Sequence, residues 1–188
     1  PEEPDQPDTP DQPSNPDTPD TPEEPEKPIH EYVDLGFVNS EGHPVLWATC
    51  NVGATEPYEK GDLYAWGETF VSAAFNWNSY TWGTQNKLIK YNAADNITTL
   101  LSEDDIAATW GEGWHTPTTE EIDLLKSNKC SYKWYTKGNT PYHGEAGVEI
   151  TGPNGNTIFL PAAGYADGST TAKEVGNYSI YWSSDRSK

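Results

Sequence analysis

The chain has 188 residues, of which 30 are acidic and 11 basic, so its formal net charge at pH 7 is −19. An anionic surface without a basic cluster repels phosphate, which argues against nucleic acid and acidic membranes as partners. The sequence contains no run of about 20 apolar residues, which excludes a membrane-spanning helix.

Residues 1–28 have a proline at every third position, from Pro1 to Pro28, with polar and acidic residues between them. Three residues per turn is the period of polyproline II, so the segment is predicted to be an extended, disordered acidic stalk of roughly 85 Å. All eight tryptophans and all eleven tyrosines follow Pro28. We therefore divide the chain into a Pro-rich stalk, 1–28, and a globular head, 29–188.

The first half of the head is predicted to contain strands and a long loop. An alternating stretch predicts a strand over Tyr32 to Gly36, and a second is expected over Val45 to Thr49. Residues 70–92 have neither a helical nor a strand period, so they are predicted to form an aromatic loop region.

Two short helices follow. Ser102 is predicted to cap a helix over 103–109, because acidic residues follow it directly. Thr118 and Glu121 have capping-box spacing and predict a second helix that ends near Asn128. The acidic residues at 103–105 and 120–123 are interpreted as helix-start charges and solvated surface.

A β-hairpin is predicted next, with strands at Val148–Thr151 and Thr157–Leu160 joined at Asn154 and Gly155, both expected to have positive φ. A last strand is expected over Ile180 to Trp182. Strands, short helices and then strands with long loops indicate the α+β class with antiparallel strands.

Cys50 and Cys130 are the only cysteines. They are too few for a disulfide framework and too far apart in sequence for a zinc knuckle. Two alternatives are open: a disulfide between them, which would stabilise an exported head by about 4.5 kcal/mol, or two buried thiols.

The histidines and serines do not form a pattern typical of a catalytic or metal-binding site. The four histidines lack paired metal-ligand spacing; they are His30, His43, His115 and His143. Ser183 and Ser184 lack the turn of a nucleophilic serine. Gly152 precedes Pro153 and Asn154 where a calcium-dependent lectin has an acidic or amide side chain, so a hairpin turn is favoured there. We predict no catalytic residue, no metal and no cofactor.

Aromatic residues are the remaining candidates for binding. Five lie in polar surroundings where their rings can stack on a sugar or fill a partner's pocket: Trp77, Tyr80, Trp82, Trp134 and Tyr135. The alternative is that they fill the core of a loop-rich head. That role is predicted for four other tryptophans: Trp47, Trp66, Trp110 and Trp114.

Six ordered motifs across the head resemble one known family. They are YVDLG at 32–36, LWATCNVGA at 46–54, YAWGE at 64–68, EDDIAATWGEGWHTPTTEEIDLL at 103–125, GPNGNTIFLPAAGY at 152–165 and YWSS at 181–184. Together they are similar to the Fibrobacter succinogenes major paralogous domain of exported Bacteroidota proteins. The resemblance implies a C-type lectin-like fold, similar to formylglycine-generating enzymes, on a secreted or lipid-anchored outer-membrane surface protein.

Two features depart from that family. His115 stands where the family commonly has an arginine. The family also continues beyond YWSS with further strands. The resemblance therefore implies an open edge beside the strand at Tyr32 to Gly36, which a longer native chain or a strand from another chain would complete.

From these observations we expect a non-catalytic, extracellular recognition module that binds a glycan or surface protein through loops of a lectin-like head. The alternative is a structural or assembly subunit of a surface appendage or outer-membrane complex.

Overall fold

The computed structural model describes residues 30–186; the predicted stalk lies outside this range. Within it the chain forms small antiparallel sheets, one α-helix and two 3-10 turns. The elements are β1 (Tyr32–Val38), β2 (Pro44–Ala48), β3 (Gly83–Thr84), β4 (Lys87–Leu88), α1 (Thr119–Leu125), β5 (Ser131–Tyr135), β6 (Gly147–Thr151) and β7 (Thr157–Pro161). The α+β class is confirmed at this level, and none of the described helices is both long and apolar enough to cross a membrane.

The first hairpin, β1 with β2, confirms both predicted strands with boundaries shifted by one or two residues. Leu35 and Phe37 on β1 are buried, whereas their neighbours Asp34, Gly36 and Val38 are exposed. This alternation places one face of β1 in the core, and a bulge in the pairing lies between Asp34 and Phe37.

The second sheet has the order β5-β6-β7 and contains the predicted hairpin. Only Gly155 has positive φ in its turn, at 89°, so the expectation of positive φ at Asn154 is wrong. The turn closes through Gly155 N, which donates to Gly152 O at 3.0 Å. Strand β5 was not predicted from the sequence, and its residues Ser131 through Trp134 are all exposed.

The core lies where these sheets meet α1. Its buried cluster consists of Leu35, Phe37, Val45, Leu125, Ile150 and Ile158. The β6–β7 turn is attached to β1 because the side-chain amides of Asn154 and Asn156 both donate to Asp34 O, each at 2.8 Å.

The helix predicted over 103–109 is instead two 3-10 turns, Ser102–Asp104 and Ala107–Trp110, and Ser102 caps neither. Asp105 between them is extended and buried. Its carboxylate accepts from Thr116 N at 2.7 Å and Thr116 Oγ1 at 2.6 Å. This tertiary contact outweighs local helix propensity.

The interpretation of the acidic clusters as solvated surface is therefore wrong for three carboxylates. Asp104 and Asp105 are buried, and so is Glu121. Asp104 lies 2.5 Å from Lys90 Nζ and also accepts from the Tyr91 hydroxyl.

Helix α1 confirms the predicted capping box. Thr118 Oγ1 accepts from Glu121 N, and the Glu121 carboxylate accepts from Thr118 N at 2.8 Å. The helix ends at Leu125, three residues before the expected limit.

The strand expected over Ile180 to Trp182 is not formed. Isolated bridges flank this region, such as the one between Gly164 and Ser179, and Ile180 N donates to Gly164 O. Trp182 instead makes a side-chain contact, since its Nε1 donates to Tyr64 O at 3.0 Å.

Candidate functional site: an aromatic cleft

An open cleft of about 850 Å³ is lined by β2, β7 and the loops that carry most of the head's aromatic side chains. We call it the aromatic cleft. The rings that line it come from separate parts of the sequence and include Trp66, Trp77, Tyr80, Trp110, Tyr181 and Trp182. Its size is that of an ordinary ligand-binding pocket.

Hydrogen bonds at the ring edges fix several of these side chains. Trp66 Nε1 donates to Ser183 O at 2.8 Å, and the Tyr80 hydroxyl donates to Trp66 O at 2.9 Å. Burial, with nearby carboxylates, raises the pKa of Tyr80 to about 12, so its hydroxyl keeps its proton at neutral pH. Because the polar edges are already bonded, the ring faces are free to contact a ligand without reorganisation.

Two of the five predicted binding residues line the cleft. Trp77 is 46% exposed, and its ring meets Tyr80 edge-on with centroids 5.5 Å apart. Exposure at the rim with support from a fixed neighbour suits a residue that contacts a partner.

The other three lie elsewhere. Trp82 Nε1 donates to Gly67 O at 2.6 Å, and its ring packs edge-on against Tyr91. Trp134 is 47% exposed on β5, away from the cleft lining, and Tyr135 packs against Tyr142. Trp82 and Tyr135 thus have mainly packing roles.

The four tryptophans predicted to fill the core all line the cleft, although Trp47 also packs against the core cluster. Trp47, Trp66, Trp110 and Trp114 are all only half-buried. Trp110 stacks on His30 with ring centroids 3.7 Å apart and meets Trp114 edge-on at 5.1 Å. Their sequence neighbourhood has no period that separates core from cleft, so only the folded arrangement identifies them.

A buried carboxylate lines the same cleft. Glu68 is 2% exposed; its Oε1 accepts from Thr81 N and Thr81 Oγ1, both at 2.8 Å, and its Oε2 accepts from Ser72 Oγ at 2.7 Å. Among residues 30–186 no cation lies within ion-pair distance of it, so neutral donors alone stabilise it.

His115 and Glu121 also border the cleft and form an ion pair, with His115 Nε2 3.0 Å from Glu121 Oε2. The hydrogen bond to Glu121 raises the pKa of His115. Burial opposes ionisation of Glu121, but hydrogen bonds from His115 and Thr118 outweigh it and lower the pKa of that carboxyl. Because Glu121 is committed to capping α1, the pair stabilises structure and does not resemble an acid-base dyad.

The remaining candidate metal ligands and histidines lie apart from one another. Across residues 30–186 no group of three or more His, Cys, Asp or Glu side chains is placed to hold a metal ion. His43 is exposed beside Glu41, and His143 stacks on Tyr58.

Of the two alternatives open for the cysteines, the structure has two separate, half-buried thiols and no disulfide between Cys50 and Cys130. Each thiol contacts its own local segment: Cys50 Sγ lies 3.4 Å from Ala54 O, and Cys130 Sγ lies 3.8 Å from Leu124 O. Burial raises the pKa of both thiols.

Comparison with known proteins does not identify the chain: no family model matches it, and no curated protein or solved structure is significantly similar. The family resemblance of the six motifs therefore stays a prediction.

Proposed function

We propose that this chain is a non-catalytic recognition module of the cell exterior, and that its aromatic cleft binds a glycan or a protein. The observation that carries the proposal is the cleft itself, in which Trp77, Tyr181 and Trp182 are exposed while the polar edges of Tyr181 and Trp182 are hydrogen-bonded within the protein. Preorganised aromatic faces give contact area at low entropic cost, as in other recognition surfaces.

The predicted stalk and the family resemblance support the exterior location. A period-three acidic segment suits a spacer between a lipid anchor and a head, and the resembled family is typical of outer-membrane lipoproteins with a C-type lectin-like fold. The location outside the cell and the lipid anchor are therefore part of the proposal.

Two tryptophans offer a matched test, because Trp77 and Trp134 have nearly the same exposure, 46% and 47%, but only Trp77 lines the cleft. Partners are first sought on a glycan array and by pull-down from host and microbial surfaces. Trp77→Ala is expected to weaken binding at least tenfold, and Trp134→Ala to leave it unchanged. Equal losses, or turnover of a substrate by the purified chain, would contradict the proposal.

A second candidate is the structural or assembly subunit completed by another chain. It is favoured by one observation: β2 and β7, each at an edge of its sheet, both contribute to the cleft lining. Stoichiometric co-purification with surface-appendage or outer-membrane proteins would support it. A monomer that binds free sugar would count against it.

A further inference from the structure

We propose that the cleft is a strand-acceptor site, which takes an extended basic segment of a partner polypeptide as an added strand on the free edge of β2. This inference rests on the proposed recognition function and names its ligand class. A segment of about five or six residues is the usual length of one strand and matches the five-residue strands that border the cleft.

The free edge of β2 follows from the alternation of its backbone. Thr49 N donates to Glu31 O on the β1 side, so the N–H of Trp47 also points towards β1. The N–H groups of Leu46 and Ala48 therefore point the other way, and both residues line the cleft. Among residues 30–186 neither donates to another backbone group.

Strand β7 has a similar free segment. Gly152 N donates to Asn156 O, so by alternation the backbone N–H and C=O groups of Ile158 and Leu160 also point towards β6. The N–H of Phe159 points away from that ladder. Phe159 is buried and lines the cleft, yet its N–H makes no backbone hydrogen bond outside the sheet within the described range. Two sheet edges thus offer unpaired donors to one cavity.

A side-chain donor in the same place also lacks an acceptor. Trp47 Nε1 is buried and has no hydrogen-bond partner among the described residues. A buried N–H without an acceptor is unusual in a folded protein. An unsatisfied donor therefore lies on β2 itself, next to its free edge.

The carboxylates of the cleft lining favour a basic partner segment. Glu68 carries a buried carboxylate without a cationic partner among the described residues, and Asp62 adds an exposed carboxylate to the same lining. The whole chain carries −19, which disfavours a second copy of itself. Lysine or arginine side chains of an added strand would meet both the carboxylates and the tryptophan faces.

A glycan makes less use of these features. Sugar rings stack on exposed tryptophan faces and hydrogen-bond to carboxylates. The regular spacing of free donors along a strand edge matches polypeptide backbone and no common sugar repeat.

The probe is a set of capped heptapeptides in which Val, Ile or Phe alternates with Arg or Lys. Each has two matched controls, one with Glu replacing the basic residues and one with backbone N-methylation at alternate positions. Binding to the full 188-residue chain is followed by NMR shifts of the Leu46 amide and the Trp47 indole. We expect members of the basic set to bind and shift both signals, and each control to bind at least tenfold more weakly.

Two variants of β2 test the edge from the protein side. Leu46→Pro removes the outward N–H and is tolerated at a strand edge, whereas Leu46→Thr keeps that N–H. Binding should be lost with Leu46→Pro and retained with Leu46→Thr, while thermal unfolding shows that both are folded. If Leu46→Pro unfolds, the N-methylated peptides still test the edge in the unaltered protein, because they lack the N–H groups that would donate to the free carbonyls of β2.

The outcomes separate this inference from the proposed function. N-methylated and unmodified peptides of equal affinity, or a basic set that does not bind at all, would overturn the strand-acceptor site. A glycan that shifts Trp77 and Trp182 while no peptide binds would overturn it but keep the recognition function. Concentration-dependent self-association through Leu46 would overturn it in favour of a second copy.

Discussion

His115 Nε2 lies 3.0 Å from Glu121 Oε2, and the same carboxylate oxygen accepts from Thr118 N at 2.8 Å. One buried carboxylate therefore both caps α1 and pairs with a histidine that borders the aromatic cleft. The stability of the cleft margin is consequently linked to pH.

The expected sign follows from the two pKa shifts. The pKa of His115 is raised above its ordinary 6.5 by Glu121, so its contribution to stability is complete below that value and lost as pH rises through the folded pKa. The pKa of Glu121 is lowered from 4.5, so its contribution is present above 4.5 and lost as pH falls through the folded pKa. The pair should therefore stabilise the head most between these two ordinary values.

His115→Gln tests this linkage. Urea unfolding at about pH 5.5 and about pH 8.5 should show a smaller loss of unfolding free energy on going to the higher pH in the variant than in the parent chain. His43→Gln is the control, because His43 is exposed beside Glu41 and should leave the pH dependence intact. Identical pH profiles for His115→Gln and the parent would refute the linkage.

Gly152 provides a test of the contact between β1 and the β6–β7 turn. An added Cβ would lie 2.2 Å from Leu35 O and 2.6 Å from Leu35 Cβ, so Gly152→Ala should lower the unfolding free energy by about 1–3 kcal/mol. The amide signals around Leu35 should move with it. Gly155→Ala is the control: its added Cβ meets no neighbour and only strains the backbone, so the Leu35 amide signal should not move. If Gly152→Ala leaves the unfolding free energy unchanged, β1 does not pack against this turn.

Tyr91 is expected to stabilise the buried acidic cluster. Its hydroxyl donates to Asp104 and accepts from Leu101 N at 3.1 Å, and the side chain is 1% exposed. Tyr91→Phe leaves both groups with one partner fewer and should cost about 1–3 kcal/mol of unfolding free energy. Tyr32→Phe, at an exposed tyrosine whose hydroxyl makes no hydrogen bond within residues 30–186, should change it by less than about 0.5 kcal/mol. Equal effects in chemical denaturation would argue against the buried cluster.

The thiol content distinguishes the structure from the sequence-based disulfide. With Cys50 and Cys130 free, denatured unreduced protein should titrate two thiols per chain. In the native state both should react slowly near neutral pH, because burial raises each thiol pKa and lowers the thiolate fraction. If no thiol can be titrated until a reductant is added, the two cysteines form the disulfide after all.

Local features of this fold were predictable from the sequence, and the cleft was not. The Thr118–Glu121 capping box and the alternating sequences of β1 and β6 depend on neighbours a few residues apart. The ring positions in the cleft depend on bonds between distant residues. Trp66 bonds to Ser183 and Trp182 to Tyr64, separations of 117 and 118 residues.

The errors have the same cause. Asp105 was interpreted as a solvated helix-start charge, but its partner Thr116 lies eleven residues away and changes both its burial and its backbone. Trp77 and Trp134 looked alike as exposed aromatics, and only the three-dimensional arrangement places one in the cleft and the other on β5. No local pattern carries that information.

The central claim is that the aromatic cleft is where this chain meets its partner. Each of the chain's eight tryptophans has one indole N–H, whose NMR signal can be followed while a captured glycan, protein or basic peptide is added to the full chain. We predict that the signals of Trp77 and Trp182 shift and that the signal of Trp134 does not. A shift of Trp134 with the cleft signals unmoved would contradict the account.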